Sequence, residues 1–338
     1  MARNARPAAH RRYVGIAVLT AAVLLGATAC SDGSATAAGP GSASAQSSST
    51  GGTPGTGPGS TSPSPTHPAG PPLLLDTIAP ADGATVGVAM PVSVEFTHPV
   101  APSARAAVEQ AMKVTTSSPV TGAWHWFSNT RADWRPKQFW PAGTRVSVDA
   151  RLTGIADGNG RYGIHDYHHA FTIGADWETK VDAAAHTMDV YLDSVRQKHF
   201  PIDAGSAQFP TWDGTMAEME KAPSVHMTSC SVHITCDPAN VNFYDVTLPW
   251  DVRLTTSGTF VHYSTAHPNP GQSTSHGCIH LSLADSQWFY AHAHPGDPVT
   301  VTGSPRGPVP GDNGYAAFTL DWSTWLAGSA TGAQQTTS

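Results

Sequence analysis

Between residues 31 and 71 the chain is built almost entirely from Gly, Ser, Thr, Ala and Pro, and such a stretch has no side chains with which to bury a core. Whatever folds must therefore lie beyond it. The tract itself reads as a flexible, partly extended tether, and a coil of about forty residues averages roughly 35 Å end to end.

From Leu73 to Ile173 the pattern changes to short alternating runs: Val92–Phe96, Ala123–Phe127 and Arg145–Asp149. Turn signals such as Ala81-Asp82-Gly83 and Pro141-Ala142-Gly143 bound them. About one hundred residues of this kind suit an immunoglobulin-like β-sandwich over 72–174. Ser103 offers an N-cap for a short helix from Ala104 to Met112. Trp124, Trp126, Trp134 and Trp140 read as core or interface rather than as a carbohydrate platform. With 32 Gly, 28 Pro and only 13% charged residues, turns and strands are favoured over long helices.

A second strand-rich region spans 175–304. It opens with a hairpin, Thr187–Leu192 and Val195–Ala204, turning at Asp193-Ser194. Strands are expected around Val246 and Phe260. The box Ser282-x-x-Asp285 can cap a short helix carrying Trp288 and Phe289. Pro295-Gly296-Asp297 then turns into a strand, Val299 to Val301. Residues 305–338 are expected to fold back onto this second domain through Trp322 and Trp325 and to end in a disordered tail. The fold class is thus mainly β, an immunoglobulin-like sandwich followed by a second strand-rich domain with a short helix late in it.

The first thirty residues read as an address. Arg3, Arg6, Arg11 and Arg12 precede a thirteen-residue apolar run, Val14–Gly26, too short to span a bilayer, and Ala27-Thr28-Ala29-Cys30 places small residues before a cysteine. This is a lipoprotein signal, in which Cys30 is acylated and anchors the chain on the outer face of the membrane, facing the cell wall; simple secretion is the alternative. Removing residues 1–29, with four arginines and no acids, takes the net charge from −7 to −11. That charge excludes a nucleic-acid partner.

Chemistry concentrates at Ser275-His276-Gly277-Cys278, with His262 sixteen positions before the cysteine at the end of the run Thr259-Phe260-Val261. A thiol attacks as thiolate, so it needs an imidazole within reach to take its proton. A glycine beside it lets the backbone turn amides toward a developing oxyanion. Spacing alone leaves three readings open: a nucleophile, a structural cysteine, or a zinc site built on His276-x-Cys278-x-His280.

The segment Phe260-Val261-His262 … Ser273-Thr274-Ser275-His276-Gly277-Cys278-Ile279-His280 resembles the signature of the L,D-transpeptidase catalytic domain. Pro210-Thr211-Trp212-Asp213-Gly214-Thr215, Glu220 to Met227, Gln287-Trp288-Phe289-Tyr290 and Gly296-Asp297-Pro298-Val299 extend the likeness, which covers nearly everything from about 176 to 329. It implies a β-sandwich catalytic domain, preceded by a bacterial immunoglobulin-like domain of the kind found before such domains in actinobacteria. Two departures stand out. His280 occupies a position where the family usually has Asn or Arg, and Ala266-His267 stands where mycobacterial relatives carry a loop tryptophan.

The resemblance implies that Cys278 attacks the third-residue carbonyl of a peptidoglycan tetrapeptide stem, expels D-alanine, and passes the acyl group from a thioester to a neighbouring stem as a 3→3 cross-link. His262 would be base and then acid, its ring oriented by the Tyr263 carbonyl. The Gly277 and Cys278 amides would hold the oxyanion. Tyr244 matches a family tyrosine whose hydroxyl points at that oxygen, or is a packed strand residue. Ser275 and His276 would support the site, Met227 and the segment through Cys236 would form a flap over the donor, and His280 would touch substrate. Carbapenem-type β-lactams would be covalent inhibitors, and no metal or organic cofactor is required. The alternatives are a wall-binding lipoprotein that has lost turnover, with His280 as the symptom, and the zinc site.

With Cys30 taken by lipid, three thiols remain in an oxidising compartment, so one stays free. Cys230 and Cys236 are close enough for a small disulfide loop that leaves Cys278 reduced. A bridge from Cys278 to either would abolish the chemistry.

Overall fold

The computed structural model describes residues 70–337; the expected signal segment with Cys30 and most of the Gly/Ser/Pro tract lie outside the described residues. The first domain is a sandwich of two sheets. One holds Thr85–Val86, Asp166–Ile173, Arg145–Arg151 and Met112–Thr116; the other holds Leu75–Ala79, Val92–Phe96, Arg131–Pro136, Thr121–Trp126 and, at its edge, Gln334–Gln335.

Alternation explains this packing. Val146, Val148 and Ala150 point inward along one strand, while the intervening residues are only partly covered. Trp124, Trp134 and Trp140 are buried in the core between the sheets, Trp134 and Trp140 with ring centroids 5.2 Å apart. Each such indole removes roughly 200 Å² from water, a gross gain of about 5 kcal/mol. Trp126 lies in the same core and donates Nε1–H to Glu109 at 2.8 Å.

The helix runs Arg105–Ala111, one residue later than Ser103 as a cap would start it. Pro102 opens a 3₁₀ turn over Pro102–Ala104, so Ser103 falls inside that turn and Ala104, without a side-chain bond, is the cap. Proline's fixed φ at the first position wins over the serine hydroxyl.

In the second domain a five-stranded sheet runs Val195–Pro201, Thr187–Leu192, Trp177–Asp182, Pro298–Thr302, Gly214–Ala217, and a four-stranded one Glu220–Thr228, Asp245–Arg253, Phe260–Tyr263, Ile279–Leu281. The Asp193-Ser194 turn has positive φ at both residues, 48° and 65°, the mirror-image turn whose twist suits a tight hairpin. Ser282 caps the helix Leu283–His292: its hydroxyl accepts from the Asp285 amide and donates to the Asp285 carboxylate at 2.7 Å.

The C-terminal extension departs from expectation. Its first part does pack on the catalytic domain, through Val309 and Ala316. Its second part crosses to the immunoglobulin-like sheet. There the helix Trp322–Ala327 lays Trp325 against Ala123, donating Nε1–H to the Ala123 carbonyl at 2.9 Å. Arg135 covers this aromatic patch, its guanidinium 4.6 Å from the Trp325 ring and 4.5 Å from Phe318. The tail is ordered as a strand: Gln334 pairs with Gly122 and Gln335 with Thr121. The reason is the fit of the tail to Glu109. Its buried carboxylate accepts from Ser329 Oγ, the Ala330 and Thr331 amides, and Thr331 Oγ1, in addition to Trp126.

Candidate active site

Parallel pairing of Phe260–Tyr263 with Ile279–Leu281 puts Val261 beside Ile279 and His262 beside His280, so Cys278 enters the sheet next to the histidine strand. His262 is buried, and its Nδ1 faces the Tyr263 carbonyl at 2.9 Å, which as a donor fixes the tautomer with Nε2 free to accept. Burial pushes its pKa down to about 4. Cys278 is a free, partly buried thiol that donates to the Gly258 carbonyl at 3.6 Å. Burial raises it to about 11. The pair therefore rests neutral, and a thiolate forms only as the imidazole takes the proton.

Two cavities meet at Cys278. The larger, about 430 Å³, lies under the long hairpin Glu220–Thr228/Asp245–Arg253 and is lined by Met227, Tyr244, His262, His267, Ser275, His276 and His280. The smaller, about 210 Å³, is bounded by Phe209, Pro210, Tyr244, Gly258, His276 and Arg306. Met227 thus sits on a hairpin strand covering the thiol. In the loop beyond, Cys230 and Cys236 are bonded to each other, their Cα atoms 4.5 Å apart.

Tyr244 borders both cavities, and burial followed by the Cys278 charge pushes its phenol up to about 12, so it stays a donor. Its ring stacks on His276 at 5.1 Å; Phe209 lies on His276 at 4.8 Å. Gly277 has φ 115°, a conformation that favours glycine. Its amide, however, donates to Ser275 Oγ at 3.0 Å, while Ser275 Oγ donates to the Cys278 carbonyl at 2.6 Å. This corrects the expectation of a two-amide oxyanion cradle: Ser275 spends the Gly277 N–H on holding the turn, which leaves the Cys278 amide and the Tyr244 hydroxyl.

His280 packs edge to face on His262 with centroids 4.6 Å apart and stacks with His267 at 6.4 Å. Burial, then its histidine neighbours, drives its pKa down to about 2, so it is neutral. A zinc site on His276-x-Cys278-x-His280 would need these side chains to converge, but the left-handed turn at Gly277 breaks the strand alternation. His276 packs against Phe209 and Tyr244, His280 against His262 and His267. Among the described residues no three His, Cys, Asp or Glu side chains are grouped to hold a metal.

Three residues escaped the sequence reading. Asp203 is buried and accepts from the Gly271 and Gln272 amides and Thr274 Oγ1, thereby shaping the loop that carries His267. Its signal was a lone acid among apolar and small neighbours, Ile202 and Ala204. Asp251 is buried with neither oxygen hydrogen-bonded, and Arg306 reaches the site from the extension.

Comparison with known proteins agrees with this geometry. The profile described as L,D-transpeptidase catalytic domain matches residues 176–301, and that of a bacterial Ig domain matches 66–156. L,D-transpeptidase 2 of Mycobacterium tuberculosis (strain CDC 1551 / Oshkosh) is 33% identical over 79% of this chain, which spans 64% of that relative's length. Probable L,D-transpeptidase 3 of Mycobacterium tuberculosis (strain ATCC 25618 / H37Rv) is 34% identical over 67% of this chain and 85% of its own. Among solved structures, an LD transpeptidase in complex with imipenem superposes with TM-score 0.59 at 31% identity, covering 68% of this chain and 98% of that one.

Proposed function

We propose that this chain, which belongs to the L,D-transpeptidase family, is a peptidoglycan L,D-transpeptidase that forms 3→3 cross-links through a thioester on Cys278. The observation that carries the reading is a reduced thiol at the meeting point of two cavities, immediately before the strand paired with a histidine whose Nδ1 is tied to a backbone carbonyl. Two cavities suit the donor stem on one side of the thiol and, on the other, the residue it expels and then the acceptor that takes that residue's place.

In the first half-reaction Cys278 Sγ bonds to the third-residue carbonyl carbon as His262 Nε2 takes the thiol proton. Collapse breaks the C–N bond, and His262 returns the proton to the departing D-alanine amine. In the second half-reaction the acceptor amine attacks the thioester, its proton passes to His262, and the thiolate leaves and is reprotonated. The Tyr244 hydroxyl and the Cys278 amide meet the oxyanion. The hairpin carrying Met227 serves as the flap over the donor.

Carbapenem-type β-lactams acylate the same thiol in this reading; the imipenem complex of a relative supports it. The enzyme's setting is outside the membrane, held by a lipid on Cys30, a reading supported by the cationic and apolar leader before that residue. Tetrapeptide muropeptides incubated with the wild type should yield 3→3 dimers by mass spectrometry, with one carbapenem bound per chain. Cys278→Ala should lose both by more than 1,000-fold, on the order expected for removing a covalent nucleophile. A variant that still cross-links would overturn the mechanism.

A further inference from the structure

The smaller cavity contains one formal charge. Arg306 lies in the segment after the strand Pro298–Thr302, and that segment is anchored to the Pro210–Gly214 turn: Asp213 Oδ1 accepts from the Ser304 amide at 3.0 Å, and Ser304 Oγ donates to the Thr211 carbonyl. The side chain is held as well. Its guanidinium lies flat on Trp212, 3.6 Å from the ring centroid, and Nη1 donates to the Pro210 carbonyl at 3.2 Å.

Stacked and bonded in this way, the guanidinium keeps an edge of N–H donors in a fixed plane, the arrangement that suits a carboxylate. Among the described residues it forms no ion pair, although other arginines of the chain do, Arg131 with Asp133 and Arg253 with Glu220. The rest of the cavity wall is aromatic, apolar or neutral: Phe209, Pro210, Ile234, Tyr244 and Gly258 among others. The charge is also close to the chemistry. A Cβ placed on Gly277 would stand 3.6 Å from Arg306 Nη1, one residue from the nucleophile.

We infer that Arg306 binds the C-terminal carboxylate of the residue expelled from the donor stem. The inference rests on the transpeptidase reading above and adds to it a test of donor length. In a tetrapeptide the terminal carboxylate belongs to the residue on the far side of the scissile bond, about one residue's span from the attacked carbonyl. A pentapeptide carries it roughly 3.8 Å further along, and a C-terminal amide has no charge to pair. Arg306 is thus placed to read the free terminus of the tetrapeptide donor.

The test compares three synthetic donors, tetrapeptide acid, tetrapeptide C-terminal amide and pentapeptide acid, on wild type, Arg306→Ala and Arg306→Gln. D-alanine, D-alaninamide or dipeptide release is followed by mass spectrometry. Wild type should favour the tetrapeptide acid over the amide by roughly 10- to 100-fold in kcat/KM, the range for a charge-assisted hydrogen-bond pair. In both variants this ratio should fall toward one, through loss on the acid. Alkylation of Cys278 by neutral iodoacetamide at the wild-type rate verifies that the site remains folded. A wild type that cross-links but treats acid and amide alike, or variants that keep the preference, overturn the role of Arg306 alone. A wild type that releases nothing from any donor overturns the transpeptidase reading itself.

Discussion

Two buried carboxylates, one in each domain, are treated in opposite ways. Glu109 and Asp251 are each about 1% exposed. Glu109, on the helix of the first domain, accepts five hydrogen bonds, four of them from the C-terminal tail. Asp251, on a strand of the second, has both oxygens buried without a partner. Desolvation raises its pKa to about 7, and a loosely directed Val225 amide is the one group that favours its charge. The first domain uses its buried acid to fasten the chain end; the second leaves one unsatisfied on the sheet that carries His262, where its charge opposes ionisation of Cys278. Frustration of this kind gathers around working sites, while the carboxylate that fastens the tail is fully answered.

Removing Glu109 should produce the largest stability effect. Glu109→Ala leaves several buried donors unanswered and should cost about 3 kcal/mol or more, a fall in melting temperature of roughly 6–12 °C for a unit of this size. Thermal melts with and without the last ten residues would show whether the loss comes from the tail. If the substitution is harmless, the five bonds to Glu109 contribute nothing net to folding.

Asp251 should respond in the opposite direction. Its folded pKa lies above the ordinary 3.8, so the native state holds a proton that the unfolded chain gives up. The associated stability is present below about pH 4 and is lost as pH rises through about 7. Asp251→Asn should accordingly stabilise the protein at pH 8 by about 1–2 kcal/mol and change little at pH 4. Urea unfolding at both pH values tests the sign; destabilisation at pH 8 would mean that the carboxylate has a partner in solution.

The smallest change expected is at His280. Neutral and in contact with His262, it serves as a packed polar ring, and Asn can fill that position, so His280→Asn should keep carbapenem acylation within about threefold. A drop beyond tenfold would assign the His280 ring a part in steadying the His262 imidazolium.

What the sequence discloses here is local chemistry. Asp193-Ser194 could be read as a hairpin turn, Ser282 as a cap, and the four tryptophans of the first domain as core, because each follows from a few neighbouring residues and a period of two. The Ser-His-Gly-Cys block and its histidine were legible through resemblance. The failures are long-range or competitive. Nothing near Trp325 names Ala123 as its partner, two hundred positions away. Ser103 lost its cap to Pro102, and the Gly277 amide went to Ser275 Oγ rather than facing outward. Asp251 and Arg306 look like ordinary surface charges until the fold brings one into the interior and the other to the thiol.

The returning tail also bears on how such a chain can be divided. Gln334–Gln335 lies along the Thr121–Trp126 edge, and Trp325 fills a slot in the same sheet, so besides their covalent link the two domains are knitted by the chain end, and the Gly87 and Ala89 amides bond to the Pro295 and Gly296 carbonyls. A piece ending near residue 304 would strip the first domain of its last strand and uncover the apolar slot. A piece beginning near 175 would carry a homeless strand and helix, an invitation to pair with a second copy. A module boundary drawn between the two domains in sequence therefore does not mark a place where the molecule can be cut.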